Sequence, residues 1–261
     1  MKNVALVTGG SGGIGKELAL VHAGSGGDLV LVARRQDALK DVAEEIEGRH
    51  GVKVMTIAKD LSAPGAVRDV YDEVKAAGVQ VKILVNNAGF GGQGLFWERP
   101  YGLDAEMIDL NVRALTELCR LYLPEFVARR EGRIMNVSSV AGFFPGPLQA
   151  VYYASKAYVN FFSEALSSEL EGTGVTVTIL LPTATDSGFA GTAGLDKTDL
   201  FKGKLSDPAV VAKIGYEGMM AGKVKVYADV PWTDVIGSKV ASLLPRRPLL
   251  RFVKKRQTIR R

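Results

Sequence analysis

Nowhere does the chain approach the roughly 18 consecutive apolar residues that a membrane-spanning helix requires, so no span is expected. It holds a single cysteine, Cys119, which excludes an intramolecular disulfide and points to a reducing compartment, the cytoplasm. Histidine is nearly as scarce: His22 and His50 have no accompanying Cys/His cluster, which leaves little for a metal site. No linker, repeat or low-complexity segment divides the 261 residues, a length that one α/β domain can fill. Acid is absent from one place in particular. Residues 246–261, RRPLLRFVKKRQTIRR, contain eight Lys/Arg and no Asp/Glu. With those eight set aside from 33 basic residues, 25 remain against 28 acidic, a net of −3. The formal charge of +5 therefore belongs to the tail. No nucleic-acid partner is expected from overall basicity, and the tail offers only Phe252 to stack on a base.

What remains is an ordinary soluble balance, 47% hydrophobic and 23% charged. The apolar run after Lys2 stops at a glycine cluster, too short for a signal peptide, and reads as a buried strand. Similar β-branched runs recur at 28–33, 52–58, 81–85, 133–137 and 175–181. Between them, amphipathic periodicity predicts helices over 13–23, 36–48, 64–77, 104–130 and 152–171. A further helix over 207–221 follows Ser206-Asp207-Pro208, a cap with proline in the first turn, and a short strand over 223–227 closes the pattern. Strict alternation predicts an α/β fold: one doubly wound parallel sheet of about seven strands with helices on both faces. It would occupy 1–230, with a loose stretch over 183–205 and a tail over 231–261.

The first strand runs into Thr8-Gly9-Gly10-Ser11-Gly12-Gly13-Ile14-Gly15, where Gly10, Gly12 and Gly15 satisfy G-x-G-x-x-G. Such a loop lets a pyrophosphate approach the backbone at a helix N-terminus, where free N–H groups favour an anion. Any tight turn can use glycines, but after an N-terminal strand in a βαβ unit the motif points to a dinucleotide. An acid at the end of the second strand would favour a free ribose 2′-OH; here that end reads Ala33-Arg34-Arg35. Two guanidiniums suit a 2′-phosphate, so NADP(H) is expected over NAD(H), although the same arginines are also compatible with a solvated helix start.

In Val151-Tyr152-Tyr153-Ala154-Ser155-Lys156, helical spacing puts Lys156 beside Tyr152 and turns Tyr153 away. An ammonium next to a phenol favours phenolate and is expected to lower its pKa from about 10, giving a group that exchanges a proton with a carbonyl or alcohol.

Together these motifs resemble the short-chain dehydrogenase/reductase family over about residues 1–190. The resemblance is to an NADP-preferring branch similar to carbonyl and 3-oxoacyl reductases, with a Rossmann-type sheet. Asp60-Leu61 matches the family's adenine contact, and Asn86-Asn87-Ala88-Gly89 its NNAG segment. Asn111 matches a helix asparagine that holds a water near the lysine. Ser139, thirteen residues before Tyr152, has the spacing of the substrate-oxygen donor, with Ser138 as competitor. The resemblance implies that Tyr152 donates the proton, that Lys156 binds the nicotinamide ribose and tunes the phenol, and that Asn111 joins the relay. Asn87, Ala88, Gly89, Pro182 and Thr185 would touch the cofactor. Thr183 stands where the family commonly has glycine, which puts that loop's conformation in question.

The stretch 183–205 carries few bulky groups, Phe189, Leu195, Leu200 and Phe201, and reads as an apolar-faced lid over a ketone or alcohol. Gly91, Gly92 and Gly94 before Phe96 and Trp97 fit either an opposite lip or a surface turn with core aromatics. The resemblance implies a homodimer or homotetramer. For the tail, a short helix after Pro248 would gather Leu249, Leu250 and Val253 between cations. It would then either lie on an anionic membrane surface or pack on the body.

Overall fold

Every residue of β1 (Val4–Thr8) is buried, because a central parallel strand has helices over both of its faces. The computed structural model describes residues 1–195, 198, 205–240 and 244–258. The chain continues through α1 (Gly13–Gly24), β2 (Leu29–Ala33), α2 (Gln36–His50), β3 (Val54–Ala58), α3 (Ala66–Ala76) and β4 (Val81–Asn86). Then come α4 (Tyr101–Ile108), α5 (Leu115–Arg129), β5 (Gly132–Val137), α6 (Ala150–Glu169) and β6 (Val175–Pro182). The last elements are α7 (Phe189–Ala193), α8 (Pro208–Met220), β7 (Lys225–Ala228), α9 (Trp232–Val240) and α10 (Arg246–Gln257). The strands form one seven-stranded sheet in the order β3-β2-β1-β4-β5-β6-β7, each pair parallel.

Alternation along β1 assigns the two layers. Val4 and Leu6 pack with residues of α3, α5 and α6, while Ala5 and Val7 face α1, α2 and α8. The order reverses between β1 and β4, so their carboxyl ends open a crevice at the switch point, where α/β sheets bind ligands. Below that crevice a buried polar chain ties three elements together. Asn86 of β4 donates to Asn136 of β5 at 2.8 Å, and Asn136 donates to Ser163 of α6 at 2.8 Å.

Two expected elements differ. The helix predicted over 104–130 is divided by a π-helical stretch, Asp109–Ala114, between α4 and α5. Asn111 occupies that wider turn and bonds both backbone polar groups of Phe90, at 2.9 and 3.1 Å, contacts that a continuous α-helix does not supply. The tail is also more ordered than its composition suggested. It carries α9 and α10, and α10 starts at Arg246 rather than after Pro248. Pro248 lies in its first turn, where a missing N–H costs nothing. Of the lid stretch, Leu200 and Phe201 lie outside the described residues. The part before them forms α7, and Leu195 is buried.

Candidate active site

A single cavity of about 1400 Å³ opens at the switch point and runs from the glycine loop to α10. On its cofactor side Gly9 (φ +67°) and Gly13 (φ +53°) adopt the left-handed conformation that favours glycine. A Cβ on Gly15 would come within 2.3 Å of the Gly9 carbonyl oxygen, whereas above Gly12 nothing lies within 4 Å. The backbone is thus folded tightly on itself and open toward the N-terminus of α1, a cradle that fits a pyrophosphate. Thr8 anchors the neighbouring segment: its hydroxyl accepts from the N–H groups of Asn87 and Ala88, both at 3.0 Å, and Asn87 Nδ2 donates to the Thr8 carbonyl at 3.0 Å. Ser11, Ile14, Arg34, Arg35, Asp60, Leu61, Gly89, Pro182 and Thr185 line the same cavity.

Arg34 and Arg35 are exposed at the end of β2, and Arg34 lies 3.8 Å from Asp60. Burial alone would raise the Asp60 carboxyl, but the Ser62 hydroxyl and N–H, helped by Arg34, hold it below the ordinary range. Thr183 is absent from the positive-φ residues, so its backbone does not need glycine's freedom and the loop is unstrained there. Thr185 donates to the Thr183 carbonyl at 2.9 Å and pairs with Ser206. Ser187 approaches the loop closely enough that a Cβ on Gly13 would meet it at 2.9 Å.

On the substrate side, Ser139, Tyr152 and Lys156 share the cavity wall. Ser138 is buried and its hydroxyl donates to the Lys156 carbonyl at 3.1 Å, a structural use that removes it from competition with Ser139. Ser139 Oγ accepts from the Ala141 N–H at 3.1 Å. Lys156 Nζ lies 5.8 Å from the centre of the Tyr152 ring and donates to the Val137 carbonyl at 2.9 Å. Burial lowers the lysine to about 8, so its ammonium form still prevails at neutral pH. For Tyr152 the expected direction is overturned. Burial pushes the phenol above its ordinary value, and the Ser139 hydroxyl offsets only part of the effect. The neighbouring Tyr153 adds to the effect of burial. Asn111 Nδ2 also donates to Ser155 Oγ at 3.1 Å, so its side chain is spent on Phe90 and Ser155. It lies near Lys156 only through the Gly89 backbone: a Cβ at Gly89 would sit 2.9 Å from Asn111 Oδ1 and 3.7 Å from Lys156 Nζ.

Residues 3–198 match the family described as short chain dehydrogenase. This chain is a member of the short-chain dehydrogenase family. It is 40% identical over 185 residues to the very-long-chain 3-oxoacyl-CoA reductase of Rattus norvegicus, covering 68% of this chain and 58% of that one. The chain thus spans less than two thirds of the curated relative's length. A short-chain dehydrogenase from Sphingobium yanoikuyae in complex with NADPH superposes with a TM-score of 0.82 at 30% identity, covering 94% of this chain and 97% of that one. The bulky-bulky ketone specific alcohol dehydrogenase from Comamonas testosteroni gives 0.78 at 26% identity, with 94% and 96% covered.

The placement of several residues around the cavity of this short-chain dehydrogenase was not foreseen in the sequence. Gly91 lies against Tyr152 and Phe189, where a Cβ would meet them at 3.3 and 2.6 Å. Gly92 and Gly94 lie against Arg99, and Phe96 (63% exposed) and Trp97 (76%) are on the surface and not in the core. Leu249, Phe252, Val253, Arg256 and Gln257 of α10 roof the cavity. Gln257 is buried, and its carbonyl accepts from Gln93 Nε2 at 3.2 Å. Nothing local marks this role. A glutamine among cations reads as solvated until the helix is folded back over the site.

Proposed function

We propose that the protein is an NADPH-dependent oxidoreductase interconverting a carbonyl and a secondary alcohol by hydride transfer, with Tyr152 as general acid/base. The observation that carries this reading is one continuous cavity. It joins the glycine cradle and the Arg34-Arg35 pair to the wall formed by Ser139, Tyr152 and Lys156.

Gly9, Gly10, Ser11, Gly12, Gly13, Ile14 and Gly15 would hold the pyrophosphate, and Arg34 and Arg35 the 2′-phosphate. Asp60 and Leu61 would flank the adenine, while Asn87, Ala88, Gly89, Pro182 and Thr185 would border the nicotinamide side. The cofactor supplies the hydride when bound. Ser139 Oγ orients the substrate oxygen by a hydrogen bond, and Tyr152, kept protonated by burial, gives its proton to that oxygen as negative charge develops on it. Lys156 keeps a positive charge behind the phenol, and Asn111 fixes the Phe90 and Ser155 positions around it. Phe144, Phe189, Leu195, Leu249 and Val253 give the substrate end an apolar lining, which suits a ketone with a bulky hydrocarbon body. Following NADPH absorbance over a panel of apolar ketones and secondary alcohols tests the reading. Binding of NADPH without turnover on any of them would make the protein a sensor and not a reductase.

A second reading concerns the outside of the roof, which we propose lies on an anionic membrane surface. Trp232, Ile236 and Val240, four apart along α9, are 73%, 50% and 36% exposed, and Phe252 of α10 is 60% exposed. Arg246, Arg247, Arg251, Lys254 and Lys255 are exposed beside Phe252. Exposed aromatics with flanking cations suit a headgroup region, each cation contributing about 1 kcal/mol at an anionic leaflet. No helix among the described residues is long and apolar enough to cross a membrane. Because α10 roofs the cavity, removing it would destroy the site, so the test keeps the full chain. Trp232→Ser/Phe252→Ser should lose most co-sedimentation with phosphatidylglycerol vesicles, and raised salt should weaken the wild type. No sedimentation of the wild type would end the idea, and a dimer lost in the variant would assign the surface to a second copy.

A further inference from the structure

The substrate end of the cavity has a polar corner that proton transfer does not use. Gln149 and Gln257 both line it, at 2% and 1% exposure. Gln149 Nε2 donates to Gln257 Oε1 at 3.0 Å, and Gln257 Nε2 donates to the Tyr153 hydroxyl oxygen at 2.8 Å. This chain of bonds is open at both ends. Gln149 Oε1 is buried with no hydrogen-bond partner, and among the described residues no acceptor faces the Tyr153 proton. Turning both amides over reverses each bond: Tyr153 then donates to Gln257, and the open end becomes the Gln149 amide N–H, so either orientation leaves one buried donor for an incoming oxygen. A buried polar group without a partner is costly, and proteins retain few of them.

The corner is also held in place from several directions. Leu148, next to Gln149, has φ +70°, an uncommon conformation for a bulky residue, and its carbonyl accepts from the Gly94 N–H at 2.9 Å. A Cβ on Gly146 would lie 2.2 Å from the Tyr153 ring, so the ring rests against bare backbone. The Tyr152 and Tyr153 rings meet edge to face with centres 6.0 Å apart, and both line the same cavity.

We propose that Gln149, Tyr153 and Gln257 form a subsite for a second substrate oxygen, beyond the carbonyl that is reduced. The Tyr153 hydroxyl donates to that oxygen while Gln257 donates to Tyr153, and the Gln149 amide fills its open valence against the same group or its water. The substrate class is then an oxo ester, oxo thioester or hydroxyketone in preference to a plain ketone. This rests on the carbonyl-reductase reading and deepens it. Arg256, whose charge acts on the Tyr153 phenol, adds a cation at the same end and favours an electron-rich oxygen.

The test uses matched pairs: 3-, 4- and 5-oxo esters, each against the ketone in which a methylene replaces the ester carbonyl. Wild type, Tyr153→Phe and Gln257→Met are compared by kcat/KM with NADPH and by calorimetric binding of the same compounds to the NADP⁺ complex. Losing one neutral hydrogen bond should lower kcat/KM and affinity for at least one oxo ester about five- to tenfold in Tyr153→Phe. The loss should fall on KM, and the matched ketone should change less than twofold. Gln257→Met should give a smaller loss of the same selectivity, with circular dichroism unchanged. Equal losses on ester and ketone, or no loss on any ester, would overturn the subsite and leave the corner to ordered water. If no ketone were turned over, the reductase reading would fail on its own. The difference in binding between ester and ketone would still decide the corner.

Discussion

Tyr152→Phe is expected to lower kcat by at least about 10²- to 10⁴-fold, the range that a positioned general acid contributes, while the dissociation constant for NADPH changes less than threefold. The phenol lines the cavity beside Ser139 and Lys156, and burial favours its protonated state. Its ring also packs on Phe189 at 5.3 Å between centres, and phenylalanine keeps that contact, so the variant removes a proton and little else. Tyr153→Phe is the control: on a plain ketone it should stay within about twofold of wild type. Rates measured beside fluorescence titration of NADPH separate chemistry from binding. Near-native turnover in Tyr152→Phe would show that another group protonates the substrate.

Arg34→Ala/Arg35→Ala should raise the dissociation constant for NADPH by about 10²-fold and that for NADH by less than about threefold. Both guanidiniums are exposed at the cavity edge, so solvent and salt weaken them, and the effect should shrink as ionic strength rises. What they retain is geometry. A planar fork at the end of β2 meets a phosphate with paired, charge-assisted bonds, and a ribose hydroxyl offers no equivalent. Asp60 modulates the outcome, because Arg34 lies 3.8 Å from its carboxylate and is shared between that partner and a phosphate. Asp60→Asn should therefore affect NADPH less than NADH. Equal affinity of the wild-type protein for the two cofactors would defeat the assignment.

The sheet was legible because its signals are local: β-branched runs, a glycine cluster after the first of them, and a Tyr–Lys spacing of one helical turn. The choice of Ser139 over Ser138 also rested on spacing, and the buried hydroxyl of Ser138 bonded to Lys156 gives it a physical reason. Features that depend on chain segments far apart were not legible. Gln257 meets Gln149 across 108 residues and Tyr153 across 104, and no periodicity announces such a meeting. The π-helical turn at Asn111 depends on Phe90, 21 residues earlier. The direction of the Tyr152 shift was misjudged for a related reason. A charge four residues away is visible in a sequence, whereas the depth at which both groups are buried is a property of the assembled fold.

The polar chain from Asn86 through Asn136 to Ser163 has a consequence for the order in which the molecule comes apart. It clips α6, which carries Tyr152 and Lys156, to two central strands through side chains as well as through apolar packing. Amide protons in β4, β5 and the middle of α6 should exchange with solvent deuterium only when the whole domain opens. Those of α7 and α10, held over the cavity by a handful of contacts, should exchange by local opening, orders of magnitude sooner. Warming or mild denaturant would then release the substrate chamber while the proton-transfer groups keep their spacing. Under such conditions activity should be lost well before the folded core is, and it should return as soon as the roof closes again.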